Sequence, residues 1–519
     1  MARIKYPIGI QTFSDIITEG LFYVDKTNLM YDVTDNYRYV FLSRPRRFGK
    51  SLLMSTLETY FKGEKELFKG LAIEKLEKNW ICYPVFRFDF SPANYVDTTR
   101  LMDRIKGCLD SIEKEYSIYA SNKNVSERFQ ELIELAYEKT GHKVVILIDE
   151  YDKPLLDCLH ESDLHEKMKS ELRSFYSVIK ASDRYIKFAM LTGITKFGKI
   201  SVFSGLNNLK DISMIPKYNA ICGISETEFH QDFKMPIASF AEEHDISEEE
   251  AWEKFKLMYD GYHFASRGEG IYNPFSVINA FDENELKNFW YGSGSPSYLI
   301  RLIEKNNYKL DKIEGQTRKE DQLNNISDTN KDFLPLLYQS GYLTIKEYLN
   351  DTQEYLLGFP NKEVDTSFWN SLADHFFLGM DGYPAFNLRK CLRDVNEGYP
   401  EEFMLSMRSL FADTNSDYEK DKEIHFQNMM AIAAKMMGLT VRTEIHSARG
   451  RCDMHIFTSG FVYVFEFKID STPEEALNQI YEKGYAIPFE SDSRTVFLIG
   501  ANFSTSTRTL DNWIIKKLK

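Results

Sequence analysis

Gly49-Lys50-Ser51 closes the segment SRPRRFGKS at residues 43–51. A glycine, a lysine and a hydroxyl in that order, between a strand and a helix, are groups that hold nucleotide phosphates. Backbone N–H groups at a helix start, helped by the helix dipole, take the phosphate oxygens. Lys50 would reach the β and γ phosphates, the Ser51 hydroxyl would ligate Mg²⁺, and Gly49 would let the backbone come close. Phe48 and Leu52 bracket the triplet and count among the binding positions. The general loop, GxxxxGK[ST], carries a glycine six residues before its lysine, and here Arg44 stands in that place. Arg44, Arg46 and Arg47 either grip phosphate oxygens bidentately or sit solvated and paired with acidic neighbours.

A second acidic motif follows at VVILIDE, residues 144–150. A carboxylate at the carboxyl end of a buried strand can hold the water shell of Mg²⁺, which assigns Asp149 to metal and nucleotide. The next residue, Glu150, would polarise the attacking water. The plainer reading is an acidic pair at a helix start. Thr192 ends the following strand-like run and is the candidate γ-phosphate sensor.

A third pattern lies near the C-terminus, in GRCDMHIFTSGFVYVFEFKID at residues 450–470. If Ser459-Gly460 is a two-residue turn, Thr458 faces Phe461 and Asp453 faces Glu466 across the hairpin. Lys468, two residues on, shares their face, while Phe461, Tyr463, Phe465 and Phe467 form the alternate, core side. Two adjacent carboxylates repel unless a cation lies between them, and hard oxygen ligands suit Mg²⁺ or Mn²⁺. With Lys468 to orient water or stabilise a crowded phosphate, Asp453 and Glu466 could hydrolyse phosphodiesters. The alternative is a surface ion-pair ladder with Lys468 or Arg451.

These residues need scaffolds. The first third alternates strand-like runs (37–43, 84–90, 143–150, 185–193) with helical ones (50–63, 98–116, 125–140, 170–182), which predicts a parallel sheet with helices on both faces. The middle is mainly helical, with a polar linker candidate at 315–332. His263, in YDGYHF, reads as structural. The last stretch combines a helix at 423–438, the hairpin, a helix opened by Thr472-Pro473 with Glu475 at its third position, and a closing strand at 494–502. The expected domains are 1–215, 216–400 and 401–519.

The 519 residues are 43% apolar and carry a net charge of −14, so nucleic-acid binding would have to rest on local basic patches. Six cysteines without a CxxC pair, no signal-peptide stretch and no run of about 18 apolar residues predict a cytoplasmic protein without a membrane span.

The segments YPIGIQTFSDIITEGLFYVDKT, FLSRPRRFGKSLLMSTLETYF and ILIDEYDKPL resemble the AAA-ATPase-like family of gut bacteria, over roughly residues 5–215. That family commonly carries the RPRRFGKS form, and Tyr23, Asp25 and Lys26 fall in its YVDKT element, either as a lid over the base or as a packing contact, with packing the favoured reading. GRCDMHI, YVFEFKI and EEALNQIYEKGYA resemble the PD-(D/E)XK nuclease superfamily, over about 420–505. This second resemblance implies a helical metal ligand, Glu423, with Gln427 one turn along, and Gln479 on the following helix. Cys452 stands where the superfamily often has proline. Together the resemblances imply a P-loop ATPase fold joined to a restriction-endonuclease-like α/β domain. They further imply an ATP-binding ATPase with a Mg²⁺-dependent nuclease acting on DNA or RNA, which could assemble as a homo-oligomer. The rival reading is a nucleotide-dependent switch whose nuclease-like domain only binds.

Overall fold

The structure is a computed structural model that describes residues 4–121, 124–159, 161–196, 208–290, 313–324, 332–377, 388–412, 422–447, 450–507 and 509–518, with 299, 303, 308 and 310 between. It divides into two compact units, one of residues 1–294 and 316–364, the other of 295–315 and 365–519.

The first unit is built on a five-stranded parallel sheet, β1 (Tyr39–Ser43), β2 (Val85–Asp89), β3 (Val144–Asp149), β4 (Ile186–Gly193) and β5 (Lys210–Asp211), in the order β2-β3-β4-β1-β5. All six residues of β3 are buried, which is why that strand is a continuous apolar run rather than an alternating one. Helices Lys50–Phe61, Thr98–Tyr116, Val125–Thr140 and Ser162–Ala181 supply the crossovers. The last of these starts eight residues before the periodicity suggested, and β5 was not expected. Because the strands are parallel, the ends of β1, β3 and β4 emerge at one edge of the sheet. Ser43 pairs with Gly193, Leu42 with Thr192, and Asp89 with Asp149. Ligands of open α/β sheets bind at this carboxyl edge.

Beyond the sheet, β6 (Ile224–Ser225) and β7 (Ile271–Tyr272) pair antiparallel, and helices between Glu226 and Glu283 bury an aromatic core of Phe229, Phe233, Phe240, Phe255, Tyr259 and Tyr272. Ser225 and Glu228 form a capping box that fixes where helix Glu226–Asp232 begins. The middle also holds a three-stranded antiparallel sheet, β8 (Thr317–Arg318), β9 (Thr344–Leu349) and β10 (Glu354–Gly358), ordered β8-β10-β9. Part of the expected linker at 315–332 is therefore a sheet edge, because Thr317 and Arg318 pair with Leu356 and Tyr355. Residues 325–331 of that segment lie outside the described residues.

The second unit is a mixed five-stranded sheet in sequence order, β11 (Thr440–Ser447), β12 (Gly450–Phe457), β13 (Phe461–Ile469), β14 (Thr495–Ser504) and β15 (Thr509–Lys517). Only β13 and β14 run parallel, joined by helix Pro473–Lys483, which buries Leu477 and Ile480 against Val462, Val464 and Val496. Thr472 caps that helix by accepting from the Glu475 N–H at 3.2 Å. Among the described residues no helix is long and apolar enough to cross a membrane.

Candidate functional site

Residues 44–49 turn from β1 into helix Lys50–Phe61. Arg47 has φ +68° and Gly49 has φ +90°, both left-handed. Gly49 is the helix N-cap, and glycine reaches that φ without the cost a side chain would add. Alternation of this kind turns successive N–H groups toward one concavity, a nest for an anion. Lys50 is buried, and its Nζ donates to the carbonyls of Arg44 and Pro45, both at 2.9 Å, so the ammonium is folded over the inside of the turn. Ser51 follows at the first turn of the helix, partly exposed, and Leu52 beside it. The Phe48 ring packs edge-on against Tyr262 and Phe264, so this residue has only its backbone to offer a phosphate.

Arg44 departs from expectation. Its side chain is 1% exposed. Nη1 donates to the Ser43 and Ser213 carbonyls at 2.9 and 2.8 Å, and Nη2 to the Tyr218 and Asn219 carbonyls at 3.0 and 3.4 Å. The guanidinium also stacks on Phe264, 4.2 Å from the ring centroid. A group held by four carbonyls in the interior is not placed to touch phosphates. It ties the loop to the segment after β5 instead. Arg47 is exposed, its guanidinium 4.8 Å from the centre of the Phe275 ring.

The acidic motif meets this loop at the sheet edge. Asp149 is 2% exposed, and its Oδ1 accepts from the Thr192 hydroxyl at 2.6 Å and the Glu150 N–H at 3.1 Å. Glu150 sits at φ +52°, a strained conformation for a side chain of its size. Burial raises its pKa above the usual carboxylate range, and the nearby Lys50 and Arg46 charges partly offset this. Sequence reasoning stopped at Glu150 and missed Asp152. This fully buried carboxylate accepts from the Thr195 N–H and hydroxyl at 2.6 and 2.5 Å and from the Ile194 N–H at 3.1 Å. It clamps the chain leaving β4, and Gly193 is what lets it in: a Cβ there would lie 2.5 Å from Asp152 Oδ1. The signal was a second aspartate in the quoted IDEYD stretch.

The YVDKT element has two kinds of contact. Asp25 accepts from Thr27 N–H and hydroxyl at 2.8 and 2.7 Å and from the Ala72 N–H at 2.7 Å, a pure packing role. Lys26 is different, because it makes an ion pair with Glu228.

In the second unit the hairpin takes the register expected from the turn. Met454 pairs with Phe465, Ile456 with Tyr463, and Phe457 with Val462, and the Thr458 N–H donates to the Phe461 carbonyl at 2.9 Å. One step beyond the Met454 rung come Asp453 and Glu466. Both faces of β13 are buried, so the carboxylate face is not a solvent ladder: Val462 and Val464 share it and pack under helix Pro473–Lys483. Asp453 Oδ2 accepts from the Phe467 N–H at 2.7 Å, and Oδ1 from Gln427 Nε2 at 3.3 Å. Lys468 Nζ lies 2.7 Å from Gln479 Oε1 and 3.4 Å from Glu466 Oε1. Glu466 is 2% exposed, and its Oε2 has no hydrogen-bond partner among the described residues. Burial, and then the Asp453 charge, push its pKa well above the carboxylate range.

A buried carboxylate oxygen without a partner, beside a second carboxylate, is a donor set that suits a hard divalent cation. Among the described residues no group of three or more His, Cys, Asp or Glu side chains is arranged to hold a metal ion. Glu423, the expected third ligand, belongs to helix Lys422–Met436, but its side chain lies outside the described residues.

Comparison with known proteins matches residues 7–203 to a family described as predicted AAA-ATPase, and residues 421–513 to the PD-(D/E)XK nuclease superfamily. Over its whole length the chain is similar to a protein of Azotobacter chroococcum mcd 1 described as "Uncharacterized protein in vnfD 5'region". The two are 34% identical over 532 residues, spanning all of both chains.

Proposed function

The chain belongs to the predicted AAA-ATPase family, with a PD-(D/E)XK nuclease-superfamily domain near its C-terminal end, and from that premise we propose that it hydrolyses ATP and cuts phosphodiester bonds of nucleic acid. The observation that carries the first activity is the meeting of Lys50, Asp149, Glu150 and Thr192 at one edge of the parallel sheet. Lys50 exchanges its two loop carbonyls for phosphate oxygens, and the N–H groups at Phe48–Leu52 close around them. The Thr192 hydroxyl fixes Asp149, which with Ser51 would hold a Mg²⁺ ion that neutralises phosphate charge. Glu150, its proton affinity raised by burial, takes the proton of the attacking water.

The second activity rests on the unpartnered Oε2 of Glu466 beside Asp453. These two carboxylates would hold a divalent ion, Mg²⁺ or Mn²⁺, that supplies an acidified water and a Lewis acid at the phosphate. The Phe467 N–H and Gln427 orient Asp453, while Gln479 steers Lys468 toward the place where phosphate charge grows.

The test is two assays on the full chain. ATP turnover should vanish in Lys50→Ala. Cleavage of DNA or RNA with Mg²⁺ or Mn²⁺ should vanish in Glu466→Ala. Nucleotide binding indifferent to Lys50 would overturn the first half. Cleavage by Glu466→Ala equal to wild type would overturn the second. The net charge of −14 favours one other reading, a nucleotide switch whose nuclease-like domain binds without cutting. An ATPase that never cleaves any nucleic acid would be that outcome.

A further inference from the structure

Arg442 and Arg494 converge on one aromatic ring. Both guanidinium carbons lie 5.4 Å from the centre of the Phe457 ring. Arg442 belongs to β11, Phe457 ends β12 and Arg494 precedes β14, so the turn at 458–460 gathers them at one end of the second unit's sheet. They line a cleft of about 1230 Å³, open mouth included, with Thr440, Ser459 and Phe489 among its other walls. The chemistry assigned to Asp453 and Glu466 makes no use of it.

The two arginines differ. Arg494 is engaged within the protein: Nε and Nη2 donate to the two oxygens of Asp492 at 3.0 and 2.7 Å, and Nη1 to the Thr458 carbonyl at 3.3 Å. Arg442 is exposed and, among the described residues, makes no hydrogen bond or ion pair. In a chain of net charge −14 this leaves one local positive charge unmatched, on a planar fork that suits phosphate oxygens. Phe457 is half-buried, its ring held edge-on by His455 and Phe489. Helix Lys422–Met436 ends in the same wall, at Met437, Gly438 and Leu439. A helix end presents carbonyls and a partial negative charge, which repels a bare anion and welcomes the amino groups of a base. The cleft therefore suits a ligand that is flat and aromatic at one end and anionic at the other.

Arg442 pairs with His455 across the β11–β12 ladder, and Phe457 and Asp453 lie two residues to either side of His455. Alternate residues of a strand share a face, so Arg442 and Phe457 stand on the face that carries Asp453. Along β12 the ring is roughly 13 Å from Asp453. A strand of nucleic acid covers that span in about four nucleotides at duplex rise. We propose that the cleft takes one unpaired nucleotide of the strand cut at Asp453 and Glu466, with its base against Phe457 and its phosphate on Arg442. A base inside a duplex has both faces covered by its neighbours and cannot enter such a cleft. The inference rests on the nuclease reading and adds the form of the substrate to it: nucleic acid with a single-stranded stretch.

The experiment measures binding of the full chain, in EDTA so that nothing is cut, to a fluorescent single strand and to the same sequence as a blunt duplex, each as DNA and as RNA. Wild type is compared with Arg442→Gln, with Phe457→Leu, and with Thr440→Trp, which fills the cleft from an exposed position on β11. Wild type should bind the DNA or the RNA single strand at least about tenfold more tightly than its duplex. Phe457→Leu and Thr440→Trp should lose about tenfold on the single strand, the usual worth of one stacked base, and little on the duplex. Arg442→Gln should lose about tenfold and lower the slope of log affinity against log salt by about one. Arg442 and Thr440 are exposed, so these two variants carry the test if a thermal melt shows Phe457→Leu unfolded. Equal single-strand affinity in wild type, Arg442→Gln and Thr440→Trp, with cleavage still lost in Glu466→Ala, would overturn the cleft and leave the nuclease reading standing. A wild-type preference for the duplex would overturn the unpaired nucleotide. Absence of cleavage by wild type on every strand and duplex would overturn the nuclease reading, and this inference with it.

Discussion

The Thr192 hydroxyl donates to Asp149 Oδ1 at 2.6 Å, joining the carboxyl ends of β4 and β3 behind the phosphate loop. Asp149 is nearly inaccessible, so this bond decides which way its carboxylate points. Thr192→Val keeps the shape and deletes the bond. ATP turnover should fall about tenfold to a hundredfold, with ATP affinity changed far less, because the misplaced group acts mainly on the reacting phosphate. Thr192→Ser should restore most of the rate. Steady-state kinetics of the three proteins check this, and a KM effect without a kcat effect would remove Thr192 from the catalytic arrangement.

Arg44 gives a sharper case. Arg44→Gly converts the loop to the general GxxxxGK[ST] form, and by motif alone it should be harmless. By geometry it empties a buried space and strands the carbonyls of Ser43, Ser213, Tyr218 and Asn219. The variant should lose about 3 kcal/mol of stability or more, measured by denaturant unfolding with and without nucleotide. Arg47→Ala, at an exposed position, should change stability by less than about 1 kcal/mol.

These two residues mark what was legible in the sequence. The parallel sheet could be read because apolar runs such as VVILID are confined to buried strands, and the hairpin register because a two-residue turn and a period of two leave one pairing. Arg44 was misread because the sequence gives its charge but not the carbonyls of residues 213–219 that surround it. Lys26 looked like packing because its partner, Glu228, lies 202 residues away. β11 and β15 were not anticipated. TVRTEIHS and TLDNWIIKK are strand-like only in the company of β12 and β14.

Gln479 holds Lys468 at 2.7 Å without itself reaching the two carboxylates, so it is a positioning residue. Gln479→Leu should lower nuclease turnover about tenfold while leaving the Mn²⁺ concentration dependence and nucleic-acid affinity near wild type. Gln479→Glu, which still accepts from the ammonium, should recover part of the rate. If the metal dependence moves along with turnover, Gln479 supports the fold of the site rather than the aim of Lys468.

The last prediction concerns stability against pH. Glu363 is fully buried, and its Oε1 accepts from the Ser276 hydroxyl at 3.0 Å and the Trp290 N–H at 2.8 Å. Its Oε2 has no hydrogen-bond partner among the described residues. Burial raises its pKa from the usual 4.5 to about 7. Between those values the unfolded chain has released this proton and the folded chain has kept it. The folded state therefore binds more protons, and stability falls as pH rises through that window. A shift of this size corresponds to about 3 kcal/mol, complete above pH 7 and absent below 4.5. Glu363→Gln carries no such proton. Denaturant unfolding at pH 5 and pH 8 should show wild type losing about 2–3 kcal/mol more than Glu363→Gln over that interval. Parallel pH profiles for the two proteins would mean that the buried carboxyl is already charged at pH 5, or that it reaches water before the rest of the domain unfolds.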